Sequence, residues 1–146
     1  MVLVANFHGR DYRMGQYIHI AANQWFRPSI EYIPGHTAQE MYSQRQEPRG
    51  LYHRSLSHSP DLVILWIGSN ELNNYNPNDT HTERELGRLI VEIAALYTTA
   101  NIPILILALP ACRNPRPPLT FELYSTRVRR VNDAIQRALR NTNTFI

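Results

Sequence analysis

Pro60-Asp61-Leu62-Val63-Ile64-Leu65-Trp66-Ile67-Gly68-Ser69-Asn70-Glu71 is the stretch that decides the fold. Six apolar residues run unbroken from Leu62 to Ile67, between Pro60-Asp61 and Gly68-Ser69-Asn70. A short, β-branched run between turn signals reads as a strand buried on both faces. Such strands belong inside parallel sheets covered by helices. Ser69, Asn70 and Glu71 then stand at a strand's carboxyl end, the edge where open α/β sheets place their ligand sites.

Working outward, strand and helix signals alternate. Val2 to Ala5 reads as a first strand, followed by the polar break Asn6-Phe7-His8-Gly9-Arg10-Asp11. Met14, Tyr17, Ile18, Ala21, Ala22 and Trp25 share one face of a helix over about 14–26, which Arg27-Pro28 ends. Ile30 to Ile33 is a second strand, closed by Pro34-Gly35. Thr37 and Glu40 form a capping box for a helix reaching about Gln44. Residues 45–60 read as a polar surface loop, and Asn73 to Asp79 as a second loop. Thr82 and Glu85 open a helix over about 83–99 that buries Leu86, Ile90, Ile93 and Tyr97. Ile102 to Leu109 is a fourth strand, and Pro110 to Pro118, with four prolines, is a loop. A last helix over about 120–140 turns Tyr124, Val128, Val131, Ile135 and Leu139 inward, and Thr142 to Ile146 is a stub of a fifth strand. The alternation predicts one α/β domain over residues 1–146, with a three-layer α/β/α arrangement and a parallel sheet of four or five strands. The loops 6–13, 34–37, 68–80 and 110–118 would meet at its carboxyl edge.

Composition narrows the function classes. The chain of 146 residues is 43% hydrophobic and is long enough for one core. No apolar run approaches the roughly 18 residues of a membrane helix, so no membrane partner is expected. The start, Met1-Val2-Leu3-Val4-Ala5, lacks the pattern of a signal peptide. A single cysteine, Cys112, forms no internal disulfide, and a cytoplasmic or nuclear setting is expected. His53 and His58 lie five apart without further ligands at zinc spacing, so neither metal nor cofactor is expected. The net charge is +3, and all fifteen basic residues are Arg. Residues 113–146 carry seven Arg against two acids, whereas residues 61–100 carry two against six. On the last helix Arg129, Arg130, Arg137 and Arg140 fall opposite the apolar stripe, with Arg127 at its border. A row of guanidinium groups is a footprint for the phosphates of RNA or DNA.

The blocks 33–38 and 60–72 together resemble the SGNH (GDSL-type) hydrolases, whose sheet is flavodoxin-like. Gly68-Ser69-Asn70-Glu71 is similar to their third block, Gly-X-Asn-Asp, and Ile33-Pro34-Gly35-His36-Thr37-Ala38 to their second. The fourth strand, its proline-rich exit and a long helix containing Val131-Asn132 follow the family's order, so the likeness spans roughly residues 2–146. The resemblance implies that Gly35 and Asn70 sit at the oxyanion positions. It also implies a nucleophilic serine after the first strand and a late Asp-X-X-His base. Against the Asp-Ser-His-Gly-Arg of esterase-like domains from invertebrate retroelement proteins, this chain has Asn6-Phe7-His8-Gly9-Arg10, and its first serine is Ser29. Phe7 thus takes the nucleophile's place in a degenerate loop of Asn6, Phe7 and His8. No histidine follows an Asp by three residues, and Glu71 replaces the third block's Asp. Ser69 stands beside Asn70 at a position that is variable in the family and contributes backbone. Both bond-making groups are therefore expected to be missing, as in Oskar-type relatives that bind RNA without catalysis. The expected function is a non-catalytic binding domain contacting RNA or DNA. The alternatives are a weak hydrolase of small esters and a structural role as a homodimer through the sheet edge at Thr142–Ile146.

Overall fold

The computed structural model describes residues 1–7, 26–73, 82–109, 115 and 117–140. Four strands form one sheet: β1 (Val2–Phe7), β2 (Phe26–Glu31), β3 (Leu62–Leu65) and β4 (Ile104–Ile106). Their order across the sheet is β2-β1-β3-β4. Five helices complete the described chain: α1 (Ala38–Ser43), α2 (Leu51–Leu56), α3 (Ser69–Asn73), α4 (Thr82–Thr99) and α5 (Phe121–Leu139). The architecture is α/β, as the alternation of signals requires.

The sheet corrects the expectation of all-parallel strands. β3 and β4 are parallel, but β1 runs antiparallel to both of its neighbours. Since β2 and β3 each oppose β1, strands β2, β3 and β4 share one direction. The reason lies at Phe7, whose register partner is Phe26. The chain re-enters the sheet beside the point where it left, and an antiparallel pair needs no crossover. An apolar run specifies burial but carries no direction, so periodicity alone could not see this. The expected helix over 14–26 lies almost wholly outside the described residues, and so does the stub at 142–146 with its proposed dimer edge. Phe26 itself opens β2. Pro28, read as a helix stop, pairs with Ala5 inside β2, which is tolerated because β2 is an outer strand.

Alternation along the strands sets the core. Val2, Val4, Val63, Leu65, Ile104 and Ile106 are buried on one face. They pack with Leu86, Ile90 and Ile93 of α4 and Val131 and Ile135 of α5 in a single cluster. α4 and α5 approach closely at Gly87, where an added Cβ would stand 3.2 Å from Ala134 Cβ. On the other face Leu3, Ile64 and Leu105 are half-buried and Ile30 is 59% exposed. The cap at Thr37 forms as expected, with Thr37 Oγ1 accepting from Glu40 N at 3.0 Å, and α5 has a cap of its own, Thr120 Oγ1 accepting from Leu123 N at 3.2 Å.

Within the stretch read as loop, α2 is a short helix. Its start needs Gly50, where a Cβ would stand 2.5 Å from the Gln44 carbonyl oxygen. Leu51 and Ser55 are buried, and Ser55 Oγ lies 2.7 Å from Tyr97 Oη. The Tyr52 and Tyr97 rings meet edge-on at 5.0 Å. Burial pushes the Tyr97 phenol well above its ordinary value. A helix of six residues offers too few repeats for a 3.6-residue period to show.

The same helix region pins the outer strand. Glu31 receives His58 Nε2 at 2.9 Å and Arg54 Nη2 at 2.8 Å. The hydrogen bond from His58, and then the charge of Arg54, hold its carboxyl below the usual 4.5 against the effect of burial. A carboxyl with a depressed folded value stabilises above the unfolded value and loses that contribution as pH falls through the folded one. Glu31→Gln is therefore expected to lower the melting temperature at pH 7, with the gap to the parent closing below about pH 4.5. Thermal melts followed by circular dichroism across pH 3–7 measure this, and a gap independent of pH would contradict it.

Candidate functional site

Because β2, β3 and β4 run together, their carboxyl ends open on one edge. Beyond β2 the chain makes a tight turn over Ile33–His36, with His36 N donating to Ile33 O at 3.2 Å. Pro34 and Gly35 occupy its centre, and Gly35 has φ +73°. Proline followed by a residue of positive φ is the pattern of a type II turn. Beyond β3, Gly68 has φ +117°, and a Cβ there would lie 3.2–3.3 Å from Leu86, Ile90 and Leu109 side chains. Both the dihedral and the packing demand glycine. The chain then enters α3 at Ser69.

Two side chains of α3 join these turns. Asn70 Nδ2 donates to the His36 carbonyl at 2.9 Å. Glu71 Oε1 accepts from the backbone N–H groups of Ala38 and Gln39, the first residues of α1 (3.2 Å for Gln39). Burial drives the Glu71 carboxyl above its ordinary value, opposed by those backbone donors, and Oε2 is buried without a partner. His36 is also buried, at 8% exposure; its Nδ1 lies 3.4 Å from Glu40 Oε2, and Nε2 has no partner. A cavity of about 410 Å³ opens at this edge. Met1, Tyr32, His36, Trp66, Ser69 and Asn70 are among its lining residues.

The structure brings Gly35 and Asn70 to the same edge, joined through His36. Of the loop expected beside them, only Asn6 and Phe7 are described. Asn6 pairs with Arg27 and Phe7 with Phe26, at the opposite end of the sheet. Phe7 lies five residues from Val2, roughly 17 Å along the strand. His8 and Cys112 lie outside the described residues. Because β1 is reversed, its first residue reaches the site instead: Met1 N donates to Trp66 O at 2.9 Å and Trp66 N to Met1 O at 3.0 Å. His53 stands edge-on to the Tyr52 ring, and His58 holds Glu31, the last residue of β2; neither is among the residues that line the cavity. Among the described residues no group of three His, Cys, Asp or Glu is placed to hold a metal ion.

On α5, Arg129, Arg130, Arg137 and Arg140 are exposed, as the helical wheel requires. Arg127 is not a member of that row. It is 3% exposed, donating from Nη1 to Leu72 O at 2.7 Å and from Nε to Glu83 Oε1 at 3.2 Å. Its place at the border of the apolar arc turns it inward, where it braces α3 against α4.

Sequence reasoning missed Tyr32, His36 and Trp66. Trp66 alternates with Ile64 on the half-open face, but a run read as buried on both sides hid that period of two. His36 follows directly on the Pro34-Gly35 turn signal, which was the clue to its position.

This chain matches the GDSL-like Lipase/Acylhydrolase family over residues 12–146. It belongs to that family. The match contains the three strands that run together and leaves the reversed β1 outside. No curated protein and no solved structure matches the chain. Among the described residues no helix is long and apolar enough to cross a membrane.

In this GDSL-like domain the Glu71 carboxyl has a raised folded value. Its charged form therefore weakens the fold as pH rises through that value from the unfolded 4.5. Glu71→Gln, which keeps the acceptor for Ala38 and Gln39, is expected to be at least as stable as the parent at pH 7.5. Glu71→Ala leaves both donors unpaired and should cost about 1–3 kcal/mol. Chemical denaturation at pH 7.5 decides between these outcomes. By the same method Gly68→Ala should cost more than Gly35→Ala, because a Cβ at Gly35 meets open space.

Proposed function

We propose that this GDSL-like domain is a non-catalytic binding domain, with the cavity at the carboxyl edge as its ligand site. The observation that carries the reading is the use made of Asn70. Family resemblance assigns its amide to the developing charge of an acyl carbonyl, yet here the amide donates to the backbone of His36. The backbone position aligned with the nucleophile is Phe7, at the far end of the sheet. Nucleophilic catalysis needs a hydroxyl or thiol, a base within hydrogen-bond reach and donors aimed at one point. His36 Nδ1 stands beside Glu40, but no hydroxyl or thiol among the described residues partners its Nε2.

The second half of the proposal is contact with RNA or DNA through α5. Arg129, Arg130, Arg137 and Arg140 lie along one exposed arc. The guanidinium fork suits phosphate oxygens. Hydrolysis of a small ester is the runner-up, favoured by family membership and by the meeting of Gly35 and Asn70 at one edge.

Turnover of p-nitrophenyl acetate tests the first half. No rate above buffer is expected from either the parent or Asn70→Ala. Turnover by the parent that disappears in Asn70→Ala would establish the hydrolase instead. For the second half, binding of a single-stranded oligonucleotide should weaken with salt. Replacing Arg129 and Arg130 by Ala should reduce the slope of log K against log salt by about 1.4, near 0.7 per phosphate contact. An unchanged slope would remove α5 from the interface.

A further inference from the structure

The cavity has a rim that nothing in the family's chemistry requires. Tyr32 is 58% exposed and Trp66 39% exposed, and both line it. Trp66 is paired with Met1 by two backbone hydrogen bonds, and Tyr32 follows Glu31, the partner of Val2. The two aromatic residues therefore flank Met1 across two strand spacings, roughly 10 Å apart. Behind the rim stand Asn70, Ser69 and the buried His36. Its Nδ1 lies 3.4 Å from Glu40 Oε2, and its Nε2 is buried without a partner, a nitrogen that accepts a hydrogen bond when the ring proton is on Nδ1. A ligand suited to these walls has a flat face to lie on an indole or phenol ring, and N–H groups to give to an acceptor. Ser69 and Asn70 add polar groups to the wall that can meet the rest of its edge. A flat face bordered by N–H groups is the property of a nucleobase rather than of a sugar ring.

We propose that this cavity receives one unpaired nucleobase, stacked on Trp66 or Tyr32 with its N–H edge toward His36. The proposal rests on the nucleic-acid half of the function proposed above and adds to it a division of labour. The arginines of α5 hold phosphates, and the aromatic rim holds a base.

Two labelled decanucleotides test it, one a single-stranded RNA and the other its abasic counterpart with the same phosphates. Fluorescence anisotropy should show the intact strand binding about tenfold more tightly, the scale of one stacked base. Trp66→Ala, and independently Tyr32→Ala, should weaken the intact strand toward the abasic level and leave the abasic strand unaffected. Trp66→Phe, which keeps a ring, should retain most of the preference. Both alanine variants alter exposed rim positions, and unchanged thermal melts confirm that they fold. Replacing Arg129 and Arg130 should weaken both strands alike. Equal affinity of the parent for the two strands would overturn the base pocket while leaving the phosphate contact standing. So would loss of both strands to the same degree in Trp66→Ala. Failure of both strands to bind at low salt would overturn both proposals together.

Discussion

The backbone of β1 has neighbours on both sides. Val2, Leu3, Val4 and Ala5 each face a residue of β2 and a residue of β3. Remove that strand and two rows of amides and carbonyls lose their partners at once, in the middle of a core where Val2 and Val4 are fully buried. The constraint fixes more than pairing. Once β1 runs against its neighbours, its first residue lies among the carboxyl ends of β2, β3 and β4, and its last lies at the far end. Met1, just before that first residue, lines the cavity beside Trp66.

Around that wall, short polar ties hold the edge in shape. Asn70 fastens the Ile33–His36 turn, Glu71 fastens the start of α1, and Arg127 grips the end of α3 through Leu72 O. All three converge on a helix of five residues that has too few internal hydrogen bonds to stand alone. Arg127 is the costliest member. A buried guanidinium is tolerated because Glu83 neutralises it and a carbonyl takes its second donor. Two polar atoms at this edge, His36 Nε2 and Glu71 Oε2, are buried without partners. Packing alone would not retain them, since each leaves a hydrogen-bonding capacity unused.

Much of the fold was legible in the sequence, and the illegible parts have particular causes. α4 and α5 carry enough turns for a 3.6-residue stripe to stand out, and the cap at Thr37 acts through a group three residues away. β3 was legible because its run is short and bounded by breakers. The direction of β1 was not, since hydropathy reads the same from either end. Pro28 misled because proline ends helices more often than it sits in outer strands. α2 was hidden because its two buried anchors, Leu51 and Ser55, are one turn apart and one of them is polar. At the site, Pro34-Gly35 was legible as a turn and Asn70 as the residue after a strand, while their pairing was suggested by the family resemblance. The displacement of Phe7 followed from strand direction, which no local pattern carries. Arg127 was placed correctly on its wheel, but a border residue can turn either way, and Glu83 decided it.

Pro28 has an effect beyond its own strand. A proline fits into the ladder with β1 only where its nitrogen faces away from that neighbour. The outward side of β2 then lacks a donor near its middle. A second extended chain laid along that side would meet a missing hydrogen bond there. A missing donor on an outer strand is one of the ways sheets resist pairing edge to edge.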